Sequence, residues 1–179
     1  MNDFIIREAT RDDCQGILAL VQELANFEDM PGGPKIGPDV LQRDGFDVEH
    51  PLFKCFVAEL KNREQSSNEG NVDTRGLVGY ALFYNTYSTW QGPSLYLEDI
   101  YVTPNVRSKG IGSALFDKVV KVAYDTGCCR LDFVVLNWNP ATEFYKHKGA
   151  IDLTATEKWH HYRLEKNAIE TLCTKAQES

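Results

Sequence analysis

The chain has 179 residues, a formal net charge of −7, 42% hydrophobic residues and 11% aromatics. That composition is not a disordered one and predicts a single domain over residues 1–179 with a real core. The acidic balance argues against a nucleic-acid partner and suits a small cationic substrate, although mild acidity also simply keeps a protein soluble.

Phe4 to Arg7 is short, apolar and β-prone, and predicts a first strand. Thr10, with Asp13 three residues on, forms a weak capping box. Cys14, Ile17, Leu18, Val21, Leu24 and Ala25 then recur at helical spacing and carry an amphipathic helix to about Phe27. Extending that stripe reaches Glu28, either a carboxylate on the buried side at the negative dipole end or a frayed end in solvent. Met30 to Pro38 is loop, and Asp39 to Phe46 predicts a short second helix. Phe53 to Leu60 predicts a strand, residues 61–75 a long mobile hairpin loop, and Leu77 to Tyr84 and Leu95 to Val102 two more strands. Gly110 to Tyr124 carries Ile111, Leu115, Val119 and Val122 on one face and predicts a crossover helix. Leu131 to Leu136 predicts a covered strand. Pro140 opens a helix through Tyr145 that Gly149 ends. Ile151 to Leu153 and Trp159 to Leu164 predict closing strands, and Ala168 to Lys175 a last helix. The order β-α-α-β-β-β-α-β-α-β implies a mixed α/β domain, antiparallel in its first half and parallel around the glycine loop.

Five cysteines form an odd set with no C-x-x-C pair, and the adjacent Cys128 and Cys129 suit neither a disulfide nor a zinc knuckle. His160 and His161 would point to opposite faces of a strand with no third ligand, so no metal is expected. No basic-then-apolar leader opens the chain, and no apolar run approaches the roughly 20 residues of a membrane span. A cytoplasmic protein with reduced thiols and no membrane partner is expected.

The chemistry concentrates between Tyr96 and Leu115, where a strand, a Pro104–Asn105 turn and a glycine-bearing loop open a helix. Amides at such a loop, with the helix dipole, favour a bound phosphate. The loop is not a Walker A sequence, because Lys109 precedes Gly110, and it is not G-x-G-x-x-G, because Ala114 and Leu115 follow Gly112. It reads R-x-x-G-x-G, Arg107 to Gly112, with Arg107 and Lys109 as cations and two glycines that let backbone approach a pyrophosphate. Glu98 and Asp99 lie on the strand leading to it.

This loop, followed by N-x-x-x-x-F-Y-K-x-x-G-A, resembles the acetyl-CoA-binding core of the GNAT N-acetyltransferases, whose acyl-CoA N-acyltransferase fold is a central mixed twisted sheet flanked by helices. R-D-G-F (Arg43 to Phe46), H-P-L-F-K-C-F-V-A-E (His50 to Glu59), Y-S-T-W (Tyr87 to Trp90) and Y-L-E-D-I-Y-V are similar to the diamine acetyltransferase (spermidine/spermine N1-acetyltransferase) branch. The resemblance spans roughly Ile5 to Tyr162. Y-S-T-W is closer to the thialysine N-ε-acetyltransferase relatives, because polyamine-acetylating members carry Asp-Pro where this chain has Ser88-Thr89.

The resemblance implies acetyl-CoA as co-substrate. A bulged strand over Ile100, Tyr101 and Val102 holds the pantetheine arm and acetyl carbonyl, and Arg107, Ser108, Lys109, Gly110, Ile111, Gly112 and Ser113 hold the pyrophosphate. Asn139 would also touch the cofactor. It lies one residue closer to Tyr145 than the family pattern, which leaves Asn137 as a substitute. Tyr145 would be the general acid, although by spacing alone it reads as a packed helix tyrosine. Glu98 would accept a proton from the amine, and Phe27 with Glu28 would contact the substrate. Ser88, Trp90 and Asp132 complete the expected substrate side. An amine with an ordinary pKa near 10.4 is protonated at pH 7 and cannot attack a thioester until a base accepts its proton. The expected activity is acetyl transfer to thialysine or a related diamine, by a homodimer as in the relatives. Polyamine N1-acetylation is the alternative enzyme, and a non-catalytic acyl-CoA-binding regulator the alternative of another kind.

Overall fold

The computed structural model describes residues 3–61 and 76–177, with the Gln177 side chain left out; the hairpin loop expected over residues 61–75 lies outside them apart from Lys61. The chain forms two compact units, residues 1–134 and 135–179.

The first unit is built on a five-stranded sheet in chain order, β1 (Phe4–Glu8), β2 (Lys54–Leu60), β3 (Leu77–Ser88), β4 (Gly92–Val102) and β5 (Leu131–Asp132). The first four strands pair antiparallel, and β5 returns parallel to β4. The helices are α1 (Cys14–Phe27), α2 (Pro38–Phe46) and α3 (Ile111–Asp125). Of the stripe expected on α1, Cys14 and Ile17 are buried; with Leu20, which the stripe omits, they pack with Leu41 of α2, Cys55 and Val57 of β2, and Tyr80 and Tyr101, while Leu18, Val21 and Leu24 lie partly buried against them. Alternate residues serve α3, whose Ile111, Leu115, Phe116 and Val119 are buried. Gly79 of β3 leaves no room for a side chain between β4 and α3. A Cβ there would stand 2.7 Å from the Tyr101 carbonyl oxygen and 3.3 Å from Leu115 Cδ1.

Asp13 seats the start of α1. Its buried carboxylate accepts from the Thr10 amide at 2.7 Å and hydroxyl at 2.8 Å, and from the Arg7 guanidinium at 2.7 and 2.9 Å. Burial alone would push this carboxyl up, but the bonds from Arg7 and Thr10 outweigh it and hold the group down at about 2.

Three expectations are corrected. The strands expected to end at Tyr84 and begin at Leu95 run on towards each other: Ser88 pairs with Gly92, leaving only Thr89 to Gln91 as the turn. Hydroxyl pairing of Thr86 with Ser94 at 2.9 Å helps carry the ladder that far. The covered strand over residues 131–136 shrinks to Leu131–Asp132, opposite Leu95 and Tyr96. Beyond Tyr96, β4 bulges and the parallel ladder stops.

The second unit holds α4 (Ala141–His147), α5 (Leu153–Glu157) and α6 (Lys166–Gln177). Here lies the third correction: the closing strands over residues 151–153 and 159–164 do not form among the described residues. Asp152 instead caps α5 by accepting from the Ala155 amide at 3.1 Å, and Lys158 ends that helix in the left-handed region. His160 and His161 consequently lie in irregular chain. All five cysteines are free thiols.

Candidate active site

Two adjacent acids on an ordinary strand point to opposite faces. Glu98 and Asp99 escape that rule. Leu82 pairs with Asp99 and Phe83 with Leu97, so Glu98 is the extra residue of a β-bulge. The consequence shows in the hydroxyls that meet these carboxylates from β3. Tyr84 Oη donates to Glu98 Oε2 at 3.0 Å, and Tyr80 Oη donates to Asp99 Oδ2 at 3.1 Å. Tyr80 and Tyr84 are four apart on one strand and share a face, so both acids lie on that face.

The two acids differ in setting. Glu98 is exposed, whereas Asp99 is half-buried. Burial pushes the Asp99 carboxyl up to about 6; the Tyr80 hydrogen bond opposes this, and the charges of Glu98 and Glu28 add to it. Glu28, half-buried after the last turn of α1, is itself raised by burial. Three carboxylates therefore share one neighbourhood. Burial, followed by the bond to Glu98, raises the Tyr84 hydroxyl to about 12, so it stays a donor at neutral pH. Its ring stacks on Tyr96 with centroids 5.4 Å apart.

The phosphate-loop candidate follows β4. Ser108 and Gly110 both take left-handed backbone, at φ 64° and 82°. Gly110 is the N-cap of α3, and its missing Cβ would face open space, so conformation alone selects glycine there. Arg107, Ser108 and Lys109 are exposed. Ile111 has its side chain in the core, 1% exposed, which leaves its backbone as the part that can meet a ligand. The Arg107 side chain has a definite seat: Nε donates to the Val102 carbonyl at 2.8 Å, and the guanidinium carbon lies 5.2 Å from the Phe27 ring centroid and 5.4 Å from that of Tyr101. Tyr101 and Val102 remain in register with Tyr80 and Gly79. The bulge therefore falls at Glu98, upstream of the Ile100 to Val102 segment for which it was expected.

The remaining expected residues separate. Ser88 is buried at the hairpin end, where its Oγ accepts from the Trp90 amide at 3.3 Å and the Gln91 amide at 3.2 Å, a turn-holding role. Trp90 stands 88% exposed at the tip of that turn. Asp132 sits opposite Tyr96 in an ion pair with Arg130 at 2.7 Å. In the second unit, Asn139 Oδ1 accepts from the Ala141 amide at 2.9 Å and so opens α4, while Asn137 is exposed. Tyr145 is buried on α4, its ring centroid 5.2 Å from that of Phe144. Tyr80 and Tyr84 were missed as site residues. Their four-residue spacing on a predicted strand was the available signal. Among the described residues no cluster of three or more His, Cys, Asp or Glu side chains is arranged to hold a metal, and no helix is long and apolar enough to cross a membrane.

The sequence model of the Acetyltransferase (GNAT) family matches residues 19–150. Thialysine N-epsilon-acetyltransferase of Bos taurus is 45% identical over 172 residues, covering 96% of this chain and 98% of that protein. Spermidine/spermine N(1)-acetyltransferase-like protein 1 of Homo sapiens is 37% identical over 94% of this chain and 24% of its own length. Among solved structures, an integron cassette protein from the mobile metagenome of V. cholerae superposes with a TM-score of 0.70 at 21% identity, over 96% of this chain and 98% of that one. That last likeness speaks for the fold.

Proposed function

Because the chain belongs to the acetyltransferase (GNAT) family and is an N-acetyltransferase, we propose that it acetylates the primary amine of a small cationic substrate, with acetyl-CoA as donor and thialysine, a related lysine analogue or a diamine as acceptor. The observation that carries the acceptor chemistry is the bulge at Glu98, which sets Glu98 and Asp99 on one face beneath the Tyr84 and Tyr80 hydroxyls.

The residues present fit a CoA pyrophosphate. The left-handed Gly110 opens onto free space, two exposed cations precede it, and it caps α3 at the end whose backbone amides and dipole favour an anion. Acetyl-CoA, when bound, supplies a thioester acyl group. Residues Arg107 to Ser113 would hold its phosphates, and the backbone of Ile100, Tyr101 and Val102 would hold its arm. The Asn139 carbonyl is committed to α4, so only its amide nitrogen remains for such a ligand, and Asn137 is the exposed alternative.

Glu98 accepts the proton of the substrate ammonium, and the Tyr84 hydroxyl fixes the carboxylate that does so. Glu28 and Asp99 add the negative charge that draws a cation in. Tyr145, carried by F-Y-K, donates its hydroxyl proton to the departing sulfur, a thiol with an ordinary pKa near 8.5. Ser88 supplies turn bonds where polyamine-acetylating relatives place an acid, which favours a short amine over a long polycation. A homodimer and a cytoplasmic setting belong to the same reading, by resemblance alone.

The test follows CoA release with thialysine, a diamine and spermidine in turn. Turnover is expected to be highest with thialysine and to fall at least a hundredfold in Glu98→Gln and Tyr145→Phe, with acetyl-CoA binding retained. Unchanged turnover in either variant removes that residue from the mechanism. Spermidine outrunning thialysine would make the polyamine reading correct.

A further inference from the structure

We propose that Phe27 is a positioning residue for Arg107, and so serves the phosphate-bearing co-substrate rather than the amine. The inference rests on the reading of Arg107 to Ser113 as the CoA pyrophosphate segment.

An exposed arginine on a loop carries a large rotamer entropy, which it must lose to grip a phosphate. Arg107 has already lost much of it. Its Nε is held by the Val102 carbonyl, and its guanidinium lies within 5.2 and 5.4 Å of the Phe27 and Tyr101 ring centroids. Nε is tied to the Val102 carbonyl and the side chain also hydrogen-bonds Tyr101, and the guanidinium still has further N–H groups to offer an oxyanion. The aromatic partners come from different elements: Phe27 ends α1 and Tyr101 lies on β4. These elements are tied again where Thr103 Oγ1 donates to Glu23 Oε2 at 3.1 Å. The last turn of α1 is thus part of the support of the phosphate loop.

The same contact argues against Phe27 as an amine contact. A cation approaching its ring would share the quadrupole with a guanidinium already beside it, and the two positive charges repel. Glu28, the next residue, is free of that conflict and remains on the amine side.

The test separates the two sides by measurement. In Phe27→Leu, which keeps apolar bulk and loses the aromatic face, the Kd for free CoA by titration calorimetry and the KM for acetyl-CoA should rise about two- to fivefold, the range expected of one exposed cation–π contact. The KM for the amine should not move. Phe27→Trp should restore CoA affinity, and adding Phe27→Leu to Arg107→Gln should cost nothing further. Phe27→Met answers the same question if the leucine variant fails to fold. A change confined to the amine KM, equal losses in the Leu and Trp variants, or a full Phe27→Leu penalty in the Arg107→Gln background would each overturn the assignment. Wild-type protein that binds no CoA would overturn the functional reading itself, and this inference with it.

Discussion

Asp99 sits where the fold works against its charge. Burial, with the neighbouring charges of Glu98 and Glu28, raises its carboxyl from an ordinary 3.8 to about 6 despite the Tyr80 hydrogen bond. A carboxyl raised in the folded state favours folding while it is protonated. That advantage is complete below pH 3.8 and is lost as pH rises through about 6, above which the ionised group is a standing cost. The difference of about two pKa units corresponds to a cost of at most about 3 kcal/mol at neutral pH. Asp99→Asn keeps a carbonyl oxygen to accept from Tyr80 and removes the charge. The variant should match wild type near pH 4 and exceed it by up to about 3 kcal/mol at pH 7.5, raising Tm there by about 6–12 °C for a chain of this size. Urea unfolding of both proteins at half-unit steps from pH 4 to 8 reads the difference directly. A stability difference that stays flat across that range would refute the argument, because only a titrating group can make it depend on pH. The variant should also bind a cationic amine more weakly, so the gain in stability comes with a higher amine KM.

Two further changes probe the same scaffold. Gly79→Ala drives a Cβ to 2.7 Å from the Tyr101 carbonyl oxygen, backbone that cannot yield without disturbing the β3–β4 ladder; a loss of about 2 kcal/mol and a Tm lower by roughly 4–8 °C are expected, and a Tm within about 1 °C of wild type would show that the strands adjust freely. Tyr84→Phe removes the donor to Glu98 while keeping the ring that stacks on Tyr96; kcat/KM for the amine should fall about tenfold, one hydrogen bond to a charged group, with melting unchanged, and wild-type kinetics would deny Tyr84 a part in positioning the base.

Much of this protein is legible in its sequence because the signals are local. The stripe from Cys14 to Ala25, the glycines of Arg107 to Gly112 and the Pro140 start each act within a turn or two of chain, and the helices they predict are present. The tail was misread for the opposite reason. Ile151 to Leu153 and Trp159 to Leu164 read as strands, but a strand needs a partner, and the Asp152 cap starts a helix over Leu153–Glu157 instead. Ser88 is expected on the substrate side from its place in a motif, and only the folded hairpin shows that its Oγ also accepts from two turn amides.

The acids and cations of the site were all visible in the sequence, and so was the family that orders them. Their arrangement was not. That Glu98 and Asp99 face the same way depends on one unpaired residue between Leu97 and Asp99, and a bulge is decided by how two strands come into register, not by either strand alone. The same holds for Arg107: its charge is a property of the chain, but the aromatic seat that aims it exists only once the end of α1 is packed against β4. The sequence determined which carboxylates, hydroxyls and cations this protein carries. Tertiary pairing decided which of them stand together, because side-chain direction is set by register and packing across elements far apart in the chain.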